Sequence, residues 1–264
     1  MNARQWLAGA LLVNALGGYC ALSAHAQSPD QREIIRLAQN SYDNLIKDGL
    51  MEFRCQVVLD WDAMYKSMGG AHNEILPFLK QTRFTVAVGP GGASTVSHQS
   101  DAAPSDVQVA ERIRQSTAGV DQMITGFFQA WGPFALDSII PNPESEYKLE
   151  ILGDHYRLSY KDGPADVVVA MTMDYVETES TVSSPQFSGT FHPQFNRGKR
   201  GYFLTGLEGT YTAPSNAPQS FKVHVECQEV EGFNLPRTAL WTVTVPGKTI
   251  DVQLQFTAYQ IKKR

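Results

Sequence analysis

The sequence lacks the short motifs by which common enzyme and metal sites are recognised. It contains no Gly-x-Ser-x-Gly, no His-Glu-x-x-His, no Cys-x-x-Cys and no calcium-loop spacing. Its histidines stand far apart along the chain. These absences argue against a catalytic or metal-binding function, although dispersed residues can still form an active site. We therefore expect no metal ion and no cofactor.

Positive charge is scarce. The chain has 22 Lys and Arg residues against 27 Asp and Glu residues, which gives a formal net charge of −5 at pH 7. Removal of residues 1–26 takes away Arg4 and no acidic residue, and leaves a formal charge of −6. Because an acidic surface repels the phosphate backbone, the composition argues against nucleic acid as a partner.

A long apolar run occurs only at the start of the chain. It spans residues 6–22, follows Arg4 and precedes a small-x-small pattern at residues 24–26. This arrangement is typical of a cleaved secretory signal, and an N-terminal membrane anchor is the weaker alternative. We predict a signal peptide at residues 1–26 and a single secreted domain at residues 27–264.

Cysteine is rare, with three residues in the chain. Cys20 lies in the predicted signal peptide, and the bulky Tyr19 before it argues against lipoprotein processing. Cys55 and Cys227 remain, each at an apolar position of a predicted strand. In an oxidising compartment they could form a disulfide bond, and two buried free thiols are the alternative. The sequence leaves this choice open, because it does not show whether the two strands are neighbours.

The clearest pattern in the chain is the alternation of apolar and polar residues in its C-terminal part. Three runs show it, at residues 221–227, 239–245 and 250–258, and each run places its apolar residues on one face. In the last run this face includes Ala258. Such patterning is typical of antiparallel strands with one face in water, so the dry face needs an apolar cover.

Helical periodicity predicts the elements that supply this cover. A first helix begins after Ser28, a suitable capping residue, and carries an apolar stripe as far as Ile46. Residues 105–131 also have apolar side chains at helical spacing, but Gly119 and Gly126 interrupt them. We therefore predict either one kinked helix or two in this stretch.

Together these elements predict a mainly β fold with some α-helix. The remaining alternating runs bring the total to about eleven or twelve strands. We expect a curved antiparallel sheet or an open β-barrel, with the helices on its concave face. A two-sheet sandwich is the main alternative, but it leaves the apolar stripes of the helices without a sheet face to cover.

Two phrases near the C terminus resemble a known family. They are Val-Glu-Gly-Phe-Asn-Leu-Pro-Arg at residues 230–237 and Phe-Thr-Ala-Tyr-Gln-Ile at residues 256–261. They are similar to the last turn and strand of the LolA-like family, which comprises periplasmic carriers and sorting proteins for outer-membrane lipoproteins, with relatives that sense envelope stress or bind lipids. The resemblance implies an apolar cavity between sheet and helices, an acylated lipoprotein or a lipid as ligand, and transport components of the inner or outer membrane as partners. We expect a monomer.

The family motif assigns no ligand contact residue by residue, so the candidate residues come from periodicity alone. On the helix side they lie close to the helix-breaking residues Gly132 and Pro133. On the sheet side they lie on the apolar faces of the last two alternating runs. Dense core packing would use the same side chains. The candidate ligand-binding residues are Phe127, Phe128, Trp131, Phe134, Trp241, Leu254 and Phe256.

Charged residues offer weaker candidates. A basic loop at residues 197–200 is interpreted as a solvated turn, with contact to an anionic head group as the alternative. Asp174, Glu177 and Glu179 form an acidic edge that we expect to face solvent.

The sequence therefore predicts a non-catalytic periplasmic carrier or binder of acylated ligands. One alternative is an envelope sensor or structural protein that binds another protein. A second alternative is a secreted hydrolase with dispersed catalytic residues.

Overall fold

Twelve strands and four helices form the part of the chain that this computed structural model describes, which is residues 29–67, 69, 74–89, 93–101, 104–212, 218–245 and 248–264. The predicted signal peptide and the predicted cap at Ser28 lie outside the described residues. The helices are α1 (Pro29–Asn40), α2 (Trp61–Ser67), α3 (Leu76–Leu79) and α4 (Val107–Ala135). The strands are β1 (Leu50–Leu59), β2 (Thr82–Val88), β3 (Ser94–Ser100), β4 (Tyr147–Leu152), β5 (His155–Asp162), β6 (Ala165–Thr172), β7 (Glu177–Ser184), β8 (Phe187–Gly198), β9 (Gly201–Thr212), β10 (Gln219–Val230), β11 (Phe233–Val245) and β12 (Lys248–Lys263).

All of these strands belong to one antiparallel sheet. Its spatial order is β3-β2-β1-β12-β11-β10-β9-β8-β7-β6-β5-β4. Strands β4 to β12 follow one another as a meander, and β12 then pairs with β1 in the middle of the sheet. Because β3 and β4 stand at the two edges, the sheet is open. The prediction of one antiparallel, unclosed sheet with helices packed against it is confirmed, and the two-sheet alternative is wrong.

Helix α4 packs against β3 and β9 on what we call the inner face of the sheet. Asp106 caps the helix, because its side chain accepts hydrogen bonds from the backbone N–H groups of Gln108 at 2.7 Å and Val109 at 3.1 Å. Gly119 and Gly126 lie on the buried side, where packing compensates for their low helix propensity. The stretch is therefore one helix rather than two.

Helix α1 covers a second part of the inner face. Ile35 and Ala38 are fully buried and pack in one cluster with Leu149, Leu158 and Val169 from β4 to β6. A larger apolar cluster lies between α2, α4 and the strands around β12. The apolar stripes and the dry strand faces thus cover one another, as the periodicity predicts.

Helix α1 ends at Asn40, earlier than the predicted Ile46. The chain turns here because it pairs with β9 instead of continuing its own helical bonds. The backbone N–H of Asp43 donates to the carbonyl of Tyr202 at 2.9 Å, and the N–H of Tyr202 donates to the carbonyl of Ser41 at 2.8 Å.

The alternation of β12 breaks at Ala258. Leu254 and Phe256 are buried as predicted, but Ala258 is exposed and has a φ of +52°. Tyr259 packs against the core instead, and the register of β12 against β1 shifts at this point. The prediction that Ala258 lies on the apolar face is wrong, because a β-bulge inserts one residue here.

Candidate ligand-binding site

All seven predicted ligand-binding residues lie in the larger apolar cluster, and none is more than 8% exposed. Phe127 stacks on Phe256 with 5.1 Å between ring centroids. Phe128 meets Phe256 edge-on at 5.6 Å and Trp131 at 5.9 Å. The structure thus brings the helix-side and sheet-side residues together, ring against ring. Their role in ligand binding stays a prediction, since the same contacts also form a packed core.

A half-buried aromatic surface continues from this core along the inner face. It consists of Phe187, Phe191, Tyr211 and Phe221, which we call the aromatic stripe. Neighbouring rings in the stripe lie 5.8 to 6.1 Å apart between centroids. Phe221 also meets Trp241 at 6.3 Å, so the stripe is continuous with the predicted site.

The stripe crosses the sheet through residues that pair directly with one another. Phe191 pairs with Gly209, and Gly209 pairs with Phe221 on its other side. No side chain in this row is charged. From β7 to β12 the row consists of Ser180, Phe191, Gly209, Phe221, Val243 and Ile250.

Two glycines allow the rings of the stripe to lie close to the backbone. A Cβ atom on Gly209 would stand 2.8 Å from the ring of Phe191 and 3.1 Å from that of Phe221. A Cβ atom on Gly189 would also stand 2.8 Å from the Phe191 ring. Glycine inside a strand marks such a close approach. The rings therefore occupy the space that side chains at these two positions would fill.

Two polar groups border the stripe. The hydroxyl of Tyr211 donates to Oε1 of Gln219 at 2.7 Å. The indole nitrogen of Trp241 is buried and has no hydrogen-bond partner within the described part of the chain. An unpaired buried donor costs about 1 to 3 kcal/mol, so this N–H is suited to a ligand oxygen that reaches it.

The aromatic stripe was not among the predicted site residues. Its members lie on β8, β9 and β10, and periodicity does not reveal which residues of different strands become neighbours. The available signal was the presence of Gly189 and Gly209 within predicted strands, since interior strand glycines indicate close approach of another group.

No family model, curated protein or solved structure matches this chain. The LolA-like resemblance of residues 230–237 and 256–261 therefore remains a prediction. Among the residues described, no three His, Cys, Asp or Glu side chains are grouped so as to hold a metal ion. None of the described helices combines the length and apolar character needed to cross a membrane.

Cys55 and Cys227 are free thiols. Cys55 lies on β1 and Cys227 on β10, with β12 and β11 between them. Three strand spacings amount to roughly 14 Å across the sheet, about twice the Cα separation that a disulfide bond spans. Of the two alternatives that the sequence leaves open, the structure shows the free thiols and not the disulfide bond. Burial raises the pKa of each thiol to about 12, which keeps both protonated and unreactive.

Glu177 is buried, with 1% exposure, and does not share the solvent-facing edge of Asp174 and Glu179. It pairs with the buried Met171 after a register shift between β6 and β7, so the bulge turns its side chain inward. Neither carboxylate oxygen has a geometrically acceptable hydrogen-bond partner among the described residues. Burial raises the pKa of Glu177 to about 8, and the nearby Ser180 opposes this shift only in part.

The basic loop at residues 197–200 is tied into the fold through Arg200. Its Nε atom lies 3.2 Å from Oδ1 of Asp43 and 3.3 Å from Oδ2 of Asp48. Asp43 is almost fully buried and also accepts a hydrogen bond from the side-chain amide of Asn234 at 2.7 Å. Arg200 therefore anchors the segment after α1, which argues against its use for an anionic head group.

Proposed function

We propose that this protein is a non-catalytic binder of acylated ligands, either a lipid or an acylated lipoprotein, and that the acyl chain lies on the aromatic stripe. The observation that carries the proposal is the half-buried state of Phe191 and Phe221 on an uncharged row that leads into the apolar core. Contiguous apolar surface that remains accessible is typical of a ligand-binding site.

The energetics favour an acyl chain as the occupant. Burial of a chain contributes about 0.8 kcal/mol per methylene. A chain of about twelve carbons therefore contributes roughly 10 kcal/mol, and an association cost of about 4 kcal/mol or more leaves a dissociation constant of tens of micromolar or weaker. No covalent step is needed, because exclusion of water supplies the driving force.

Trp241 determines the orientation of the acyl chain in the proposed site. Its ring meets Phe221 where the stripe adjoins the core, and its buried indole N–H has no hydrogen-bond partner among the described residues. A carbonyl or ester oxygen accepts such a hydrogen bond, whereas a plain hydrocarbon does not. In the proposed complex the polar end of the acyl chain lies beside Trp241, and its methylenes extend over the rings of the stripe.

Titration of the purified protein with a fluorescent fatty acid tests this proposal. Wild type should bind the probe saturably, and Phe221→Ser should weaken binding about tenfold, because a ring contact of more than about 1.4 kcal/mol is lost. Leu240→Ser is the matched control, since Leu240 is 46% exposed and lies on the opposite face of the next strand. No binding by wild type, or equal weakening in both variants, would contradict the proposal.

A second experiment separates the alternatives. Extraction of the purified protein followed by mass spectrometry should find bound acyl species. Their absence, together with a failure to bind the probe, would favour an envelope protein that binds another protein. An acyl-ester probe recovered intact after incubation would argue against the hydrolase, whereas its cleavage would favour it.

A further inference from the structure

Strand β4 is an edge strand, and none of the described residues pairs with one of its two sides. Within the described part of the chain it pairs with β5 alone. Two large apolar side chains near its end are accessible, Ile151 at 62% and Leu152 at 40%. An edge strand offers unpaired backbone N–H and C=O groups to another strand, and accessible apolar side chains add to that attraction.

The turn after β4 decides which of its backbone groups face outward. Residues 153–154 form a two-residue turn in which Gly153 has a φ of +67°, and Leu152 pairs with His155 across it. Residues that flank such a turn hydrogen-bond each other, and the bonding direction alternates along the strand. The residues whose backbone groups point to the free edge are therefore Tyr147, Leu149 and Ile151.

We propose that β4 pairs antiparallel with β4 of a second copy of this chain, about a twofold axis at Leu149. This register places Lys148 opposite Glu150 of the other copy, and symmetry repeats the pair. It also places Tyr147 opposite Ile151. The adjacent registers that keep both inner faces on the same side place Glu150 opposite Glu150 or Lys148 opposite Lys148. Charge complementarity therefore favours the register about Leu149 over both adjacent registers.

Within one copy, Lys148 and Glu150 already form an ion pair on the outer face, with 2.8 Å between Nζ and Oε1. In the paired strands each charge gains a second neighbour of opposite sign. The dimer joins two sheets into one through a small interface, so we expect a weak dimer. This departs from the monomer expected from the sequence.

Sedimentation of the purified protein up to about 100 µM tests the pairing, which should give a concentration-dependent dimer. Lys148→Glu and Glu150→Lys should each sediment as a monomer, because each places like charges in opposition. An equimolar mixture of the two variants should form a heterodimer, since their charges are complementary. The combined variant with both substitutions should dimerise like wild type.

Lys161→Glu is the matched control, because it reverses an equally exposed lysine that pairs with Asp166 on the hairpin between β5 and β6. It should leave the dimer intact. A monomer at all concentrations would overturn the proposal. A dimer that persists in both single variants, or a mixture of them that stays monomeric, would overturn it as well.

Discussion

The indole ring of Trp241 lies 6.3 Å from the phenyl ring of Phe221, and this contact marks the boundary between buried core and accessible surface. Trp241 is 8% exposed, whereas Phe221 is half-buried. The proposed acyl-chain site depends on this boundary, because the accessible stripe adjoins the packed core here. The two residues can therefore be tested separately from the rest of the core.

Trp241→Phe tests the role of the indole N–H. The substitution keeps an aromatic ring and removes the donor, so we expect affinity for a fluorescent fatty-acid ester to fall about fivefold to tenfold. Affinity for a fluorescent hydrocarbon without an ester should change little. Equal losses for the two probes would show that the indole acts through its packing alone.

Leu254→Ala should destabilise the protein more than Phe187→Ala. Leu254 is fully buried, and its truncation should lower the free energy of unfolding by about 2 to 5 kcal/mol. Phe187 is half-buried at the far end of the stripe, so its loss should cost less. Urea denaturation measures both values, and a larger loss for Phe187→Ala would place the stripe inside the core.

Arg200→Ala should lower the free energy of unfolding by about 3 kcal/mol, because it leaves the buried carboxylate of Asp43 without its cation. Lys80→Ala is the comparison, since it breaks an exposed pair with Asp62 that lies at 2.6 Å. That pair should contribute less than about 1 kcal/mol. Similar losses in the two variants would argue against an anchoring role for Arg200.

Glu177→Gln should remove a pH dependence of stability. The folded pKa of Glu177 is raised from 4.5 to about 8, so the folded state binds more protons than the unfolded state between these values. Stability from this group is present at low pH and is lost as the pH rises toward 8. At pH 8 the variant should be more stable by up to about 4 kcal/mol.

Melting curves between about pH 5 and pH 8 measure this effect. Glu179→Gln is the matched control, because that carboxylate is exposed on the same strand. A Glu177→Gln curve parallel to that of wild type would mean that the buried carboxyl has an ordinary pKa.

Thiol titration checks the separation of Cys55 and Cys227. Native protein should react slowly, because burial keeps both thiols protonated. After unfolding without reductant, secreted protein should show two reactive thiols, given that Cys20 lies in the predicted signal peptide. If no thiol reacts after unfolding, Cys55 and Cys227 are joined by a disulfide bond.

Much of the sheet could be predicted because strand periodicity is local. Leu254 and Phe256 lie on the apolar face, as the alternation of apolar and polar residues predicts. This reasoning fails at a β-bulge, because one inserted residue moves the following side chains to the opposite face of the sheet while the sequence pattern looks unbroken. For this reason the sequence places Ala258 and Glu177 on the wrong sides.

The candidate site was less predictable, because it depends on which strands become neighbours. Helical spacing assigned Phe127, Phe128 and Trp131 to one apolar stripe and strand alternation assigned Phe256 to the dry face, and these residues pack in one cluster. The aromatic stripe and the distance between the cysteines both depend on strand order, which alternation does not encode. Strand order follows from the sum of all pairings across the sheet.

The insertion of β12 between β1 and β11 also determines how the protein folds. Leu50 pairs with Lys263, so the contact that joins β1 to the meander closes a loop of most of the chain. Contacts of such long sequence separation form slowly. During synthesis, β1 to β3 can join the meander only after β12 has been made. Until then, the edges of β1 and β11 that pair with β12 are exposed, and they can aggregate or bind a chaperone.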